Sequence, residues 1–170
     1  MIILSRFPAV FALAFLVAVP LPAFARSADA DPRFSWPLSP DPAVVTPFDQ
    51  PSNEYGPGHR GVDLAASAGQ QVLAAGPGVV VFAGSVAGQG VVSIDHDGDL
   101  HTTYEAVTPT VTTGTQVYGG QPIGLANAGH PGCPVAVCLH WGVRRGEEYL
   151  NPLALIRMVS VIRLKPWEGT

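Results

Sequence analysis

After its first two dozen residues, the chain carries apolar side chains in short bursts rather than at helical spacing. Gly78 to Ala83, Gly90 to Asp95 and Leu100 to Glu105 are runs rich in Val, Ile, Thr and Tyr, each set off by Gly, Asp or Pro. β-Branched and aromatic side chains suit a half-buried pleated surface, so these runs predict strands. His96-Asp97-Gly98-Asp99 separates the last two and holds the Asp-Gly centre of a tight hairpin, with His96 read as a turn residue rather than a ligand. No long stretch of 3.6-residue periodicity follows residue 25, which argues against a helical fold.

A longer pattern lies over the bursts. Gly69-Gln70-Gln71-Val72-Leu73-Ala74-Ala75-Gly76-Pro77 returns as Gly114-Thr115-Gln116-Val117-Tyr118-Gly119-Gly120-Gln121-Pro122, with Gly, Gln, Val and Pro at the same offsets. Each copy reads as a turn, a short strand, a second turn and the start of another strand. A duplicated antiparallel hairpin unit of this kind predicts an all-β fold of two packed small sheets. Around it, Asp41 to Phe48 carries a first strand through Val44 and Val45, and Phe34-Ser35-Trp36-Pro37-Leu38 is an apolar clip expected to dock on the core. Arg144 to Glu148 is a charged, solvated hairpin. Asn151-Pro152-Leu153 starts a short helix or turn, and Val159 to Leu164 is a candidate edge strand.

The amino terminus is of another kind. One basic residue, Arg6, precedes an almost wholly apolar run from Phe7 to Phe24, and Ala23-Phe24-Ala25 has the small-x-small form of a cleavage site. A membrane anchor is the alternative, because the run approaches spanning length. Pro8, Pro20 and Pro22 and the cleavage pattern favour a removed secretion signal over residues 1–25. The division expected is then a disordered tail and clip over 26–47, with Arg26 to Arg33 the disordered part, one domain over 48–164, and a short tail over 165–170. The whole chain has 9 basic against 13 acidic residues, and loss of Arg6 leaves the exported part still more acidic. That balance argues against nucleic-acid or anionic-membrane partners. A charged fraction of 13%, with 19 Gly and 17 Pro, fits many short strands joined by turns.

Candidate chemistry sits at two places. His59-Arg60-Gly61-Val62-Asp63 follows the Pro/Gly/Asn loop of 51–58, and Cys138-Leu139-His140-Trp141 lies far down the chain. His59, Asp63 and His140 are ligand types that zinc prefers, and three protein ligands leave one tetrahedral position open, the catalytic pattern. The His-x-x-x-Asp pair alone is weak evidence, since both residues are common in loops. Cys133 and Cys138 are the only cysteines, and an even count in an exported chain favours a disulfide. Cys138 and His140 share a strand face, so a thiolate Cys138 is an alternative fourth ligand. His130, in the loop ahead of the cysteines, is either a turn residue or a group able to swing over the site. His101 reads as solvated or packed.

These residues resemble a family. His59 to Asp63, the Gly69–Gly84 strands, Thr102-Thr103-Tyr104, Val117 to Gly124 and Leu139-His140-Trp141 fall in the order seen in lysostaphin/LytM-type bacterial zinc metallopeptidases, from about Phe48 to about Leu155. The resemblance implies an all-β, antiparallel two-sheet barrel-sandwich with an open groove, a groove-bearing sheet packed on a smaller one, with zinc held by His59, Asp63 and His140. It also implies a secreted, cell-wall-associated protein acting on peptidoglycan peptides. Two departures stand out. The family pattern has a catalytic His where this chain has Cys138, and a second, two residues after the strand Tyr, where this chain has Ala106. The expectation is therefore a zinc site with weakened or absent hydrolysis. The alternative is a non-catalytic domain that binds the wall or regulates a partner cell-wall hydrolase. His130 is a candidate replacement catalytic residue, whereas alternation from Tyr104 and Ala106 turns Glu105 away from the site. A lipoyl-type carrier, which also uses duplicated hairpins, fails for want of a lysine between the repeats, Lys165 being the only one in the chain.

Overall fold

A computed structural model describes residues 34–53 and 56–156. The signal expected over 1–25, the disordered tail expected over 26–33, the edge strand expected over Val159–Leu164 and the terminal residues lie outside the described residues. Among the described residues no helix is long and apolar enough to cross a membrane.

The elements are short strands, as the apolar bursts require. In order they are β1 (Val44–Thr46), β2 (Gly61–Ala65), β3 (Gln71–Leu73), β4 (Gly78–Val86), β5 (Gln89–His96), β6 (Leu100–Glu105), β7 (Val107–Pro109), β8 (Gln116–Val117), β9 (Pro122–Ala126), β10 (Cys138–Arg145) and β11 (Glu148–Leu150). One helical turn, α1 (Leu153–Ile156), follows. The larger sheet runs β1-β2-β10-β6-β5-β4-β8, with β11 also paired to β10, and the smaller runs β3-β9-β7. All pairings are antiparallel. The sheets do not close into a barrel.

The sequence repeat has a definite structural meaning. Each copy gives one strand to each sheet, and the copies pair with each other: β3 with β9 in the small sheet, β4 with β8 in the large one. The turns between them are fastened by backbone bonds across the copies, Ala74 N–H to the Gln121 carbonyl and Gly120 N–H to the Ala74 carbonyl, both 2.8 Å.

One face of the large sheet is the core. Val62, Leu64, Val80, Val92, Ile94, Tyr104, Leu139 and Trp141 are buried, meeting Val72, Val107, Ile123 and Ala126 of the small sheet. Each such aliphatic side chain is worth about 1.5–3 kcal/mol when fully removed from water. The clip joins this core through Leu38, and the Pro37 carbonyl accepts a bond from Leu73 N–H at 2.8 Å.

Because side chains alternate across a strand, the residues that β2, β10, β6 and β5 do not give to the core share the opposite face. Cross-strand register lines them up in rows. Asp63, His140, Glu105 and Val91 form one; Gly61, Gly142, Thr103 and Ser93 form the next. The row of small side chains beside the row that carries Asp63, His140 and Glu105 is what opens the groove.

Two local expectations change. His96 is not a turn residue but ends β5, 9% exposed; the hairpin turn is Asp97-Gly98-Asp99, with positive φ at Gly98 and Asp99. Its ring spans the Pro77 carbonyl and the Thr102 hydroxyl, each 2.7 Å away. Glu105 faces the groove rather than away from it. Tyr104 is fully buried in the core, so alternation sends Glu105 to the site side, and Ala106 leaves the strand at φ 65° as the chain crosses to the small sheet.

Candidate metal centre

His59 reaches the groove from the loop before β2, tied by paired backbone bonds to Asp49. Its Nδ1 lies 2.7 Å from the Pro47 carbonyl, so a proton held there leaves Nε2 as a lone pair toward the groove. Asp63 and His140 are directly opposed in the β2–β10 ladder. His59 Nε2 is 3.1 Å from Asp63 Oδ1 and 3.1 Å from His140 Nδ1, and His140 Nδ1 is 2.9 Å from the same carboxylate oxygen. The three residues singled out in the sequence therefore converge on one point.

A fourth joins them. His130 Nε2 lies 3.2 Å from Asp63 Oδ1, and its ring stacks on His140 with centroids 5.1 Å apart and planes 24° apart. The loop that delivers it is fastened at both ends. Gln89 Nε2 donates to the Gly129 carbonyl at 2.9 Å, and the Cys133–Cys138 disulfide joins the loop to the first residue of β10, with Cα atoms 5.8 Å apart. Cys138 is thereby committed to sulfur and is not a thiolate ligand.

The glycine of the His-x-Gly-x-Asp stretch is sterically required. A Cβ on Gly61 would come within 2.5 Å of the Trp141 carbonyl oxygen and 2.7 Å of His140 Nε2. Only a residue without a side chain lets β2 approach β10 with the imidazole between them.

The electrostatics suit a cation. Burial alone would raise the Asp63 carboxyl, but hydrogen bonds from His140 and Thr46 and the neighbouring His59 and His130 outweigh it and hold it down to about 2. Burial pushes His130 below its usual value, against the pull of Asp63, so the ring is a neutral base near pH 7. Four donor atoms, from His59, Asp63, His130 and His140, lie within 4.8 Å of one another. A tetrahedral zinc with ligands at about 2.0–2.1 Å sets its donors roughly 3.3 Å apart, close to the 2.9–3.2 Å spacings present. Donor types and spacing both fit that ion.

The sequence model of peptidase family M23 matches residues 57–152, from just before His59 to just past β11. The chain belongs to this family, of the lysostaphin/LytM type. It is 51% identical over 140 residues to Uncharacterized protein Rv2891 of Mycobacterium tuberculosis and to Uncharacterized protein Mb2915 of Mycobacterium bovis, covering 80% of this chain in each case. The match takes in 56% of either relative, so the chain spans little more than half their length. Among solved structures, a zinc-containing peptidase from Vibrio cholerae superposes with a TM-score of 0.59 at 25% identity, over 71% of this chain and 39% of that one. The catalytic domain of the prophage-encoded M23 protein EnpA from Enterococcus faecalis gives 0.57 at 25%, over 70% and 95%. The lysostaphin catalytic domain from Staphylococcus simulans shares the fold, with a TM-score of 0.58 at 21% identity, over 68% and 92%.

For an M23 domain, one groove residue escaped the sequence. Glu105 lies beside His140 in the ladder, with Oε1 3.8 Å from His130 Nδ1. The signal that finds it is the burial phase of β6, in which Leu100, Thr102 and Tyr104 face inward. Arg60, stacked over the Tyr149 ring at 5.6 Å, joins Glu105, His140 and Gly142 in lining a cavity of about 230 Å³.

Proposed function

We propose that this chain is a secreted zinc-binding domain of metalloendopeptidase type, directed at peptidoglycan peptides, in which His130 takes over the catalytic work of the two absent histidines. The observation that carries the reading is the position of His130: its ring stacks on His140 and its Nε2 faces Asp63. His59, Asp63 and His140 would hold the zinc. Bound there, the ion would polarise a peptide carbonyl and acidify water.

The chain's own residues supply the rest. The small-residue row of Gly61, Gly142 and Thr103 leaves room for an extended peptide along the groove floor. His130, neutral because it is buried, accepts the proton of the attacking water on Nε2 and returns it to the departing amine. General acid–base assistance of this kind is typically worth about 10²–10⁴-fold. With one imidazole in place of two, the expected peptidase is a weakened one.

A second reading is favoured by the same cluster. With four donors within 4.8 Å, His130 as a fourth ligand would close the site, leaving a domain that binds wall peptides or regulates a partner hydrolase without cutting. Incubation of the zinc-loaded exported form with purified peptidoglycan, followed by mass spectrometry of new peptide termini, separates the two. Metal-dependent cleavage lost in His130→Ala supports the peptidase. Peptide binding without any new terminus contradicts it and supports the closed site.

A further inference from the structure

An imidazole that presents a lone pair from one ring nitrogen carries its proton on the other, and that proton needs an acceptor. His59 has one in the Pro47 carbonyl. His130 lacks one: its Nδ1 is buried with no hydrogen-bond partner among the described residues. Buried polar atoms are rarely left in that state, and a proton held there without an acceptor costs about 1–3 kcal/mol.

Glu105 Oε1 lies 3.8 Å from that nitrogen, too far for a hydrogen bond and within reach of one by a small side-chain rotation. Register with His140 fixes the Glu105 backbone on the groove face, while its side chain is 30% exposed and free to turn. Among the described residues Glu105 makes no hydrogen bond that would hold it elsewhere.

We propose that Glu105 is the positioning residue for His130, its carboxylate accepting the Nδ1 proton so that Nε2 is presented to the Asp63–His140 cluster as a lone pair. The inference rests on the reading of His130 as the working residue of the site. Nε2 already faces the cluster, 3.2 Å from Asp63, so Nδ1 is the ring nitrogen left for Glu105. Closing the 3.8 Å gap needs only a turn of the Glu105 side chain and no movement of the strand that carries it.

Two-bond proton–nitrogen correlation spectra of the imidazoles, recorded on ¹⁵N-labelled, zinc-loaded protein, read this directly, because the ring nitrogen shifts report which nitrogen carries the proton. His130 is expected in the Nδ1–H form. In Glu105→Ala its nitrogen shifts should move toward the Nε2–H form, with the zinc content unchanged because His130 is not among the three zinc-holding residues. Glu105→Gln should restore part of the Nδ1–H population, because its amide oxygen still accepts. A His130 tautomer unchanged in Glu105→Ala would overturn the assignment. Glu105 lies outside the core, and unaltered circular dichroism would show that its loss does not act through unfolding. Cleavage by His130→Ala tests the reading beneath, so the dyad and the reading can fail separately.

Discussion

Gly61 decides how close the ligands come. It stands across from Gly142, and the space a side chain would take is already held by the Trp141 carbonyl and the His140 ring. Gly61→Ala must push β2 from β10 or turn His140 out of the cluster. Overpacking of this kind costs about 1–3 kcal/mol, so the variant should melt at a lower temperature and bind zinc more weakly, as read by calorimetry and metal titration. Wild-type melting and affinity would show that the ladder can relax around a methyl group. That His59, Asp63 and His140 come together was legible in the sequence, because each carries recognisable donor chemistry at a recognisable place. Glu105 was not. Its side of the strand depends on which of Tyr104 and Glu105 enters the core, and alternation gives the period without the phase. The phase is set by Tyr104, whose hydroxyl accepts the Ala75 backbone N–H at 2.8 Å inside the core.

At the scale of elements, the loop that carries His130 is held by a crosslink. By the chain-entropy argument so small a ring contributes about 2 kcal/mol, while its local effect is to hold His130 against His140. The Cys133→Ser/Cys138→Ser double variant is expected to lose about that much stability in urea titration and, on the peptidase reading, to cleave more slowly with its zinc content intact. Undiminished cleavage would show that the remaining anchors, such as Gln89 on Gly129, suffice. The cysteine pairing could be read from an even count and an expectation of export. The repeat could be read as strands but not as an interlocked pair, since matching Gly, Gln, Val and Pro positions mark turns and say nothing about which strand meets which. That is fixed by burial: Val72 and Val117, equivalent in the repeat, are both fully buried, one from each sheet.

Across the whole molecule, one sheet serves two purposes through its two faces. The face toward β3, β9 and β7 carries the core, and the other carries His140, Asp63, Glu105 and the small-residue floor. Two of the candidate ligands, Asp63 and His140, are therefore mounted on strands whose positions are fixed by packing, which is what a metal site needs for its donors to stay in register. Everything proposed about this groove depends on a metal being held there. The most direct test is elemental analysis of the purified protein beside its His140→Ala variant. The account predicts about one zinc per chain, lost on removal of His140 with the β-sheet circular dichroism preserved. Zinc content unchanged by that substitution, or no zinc taken up by the folded wild-type protein, would contradict it.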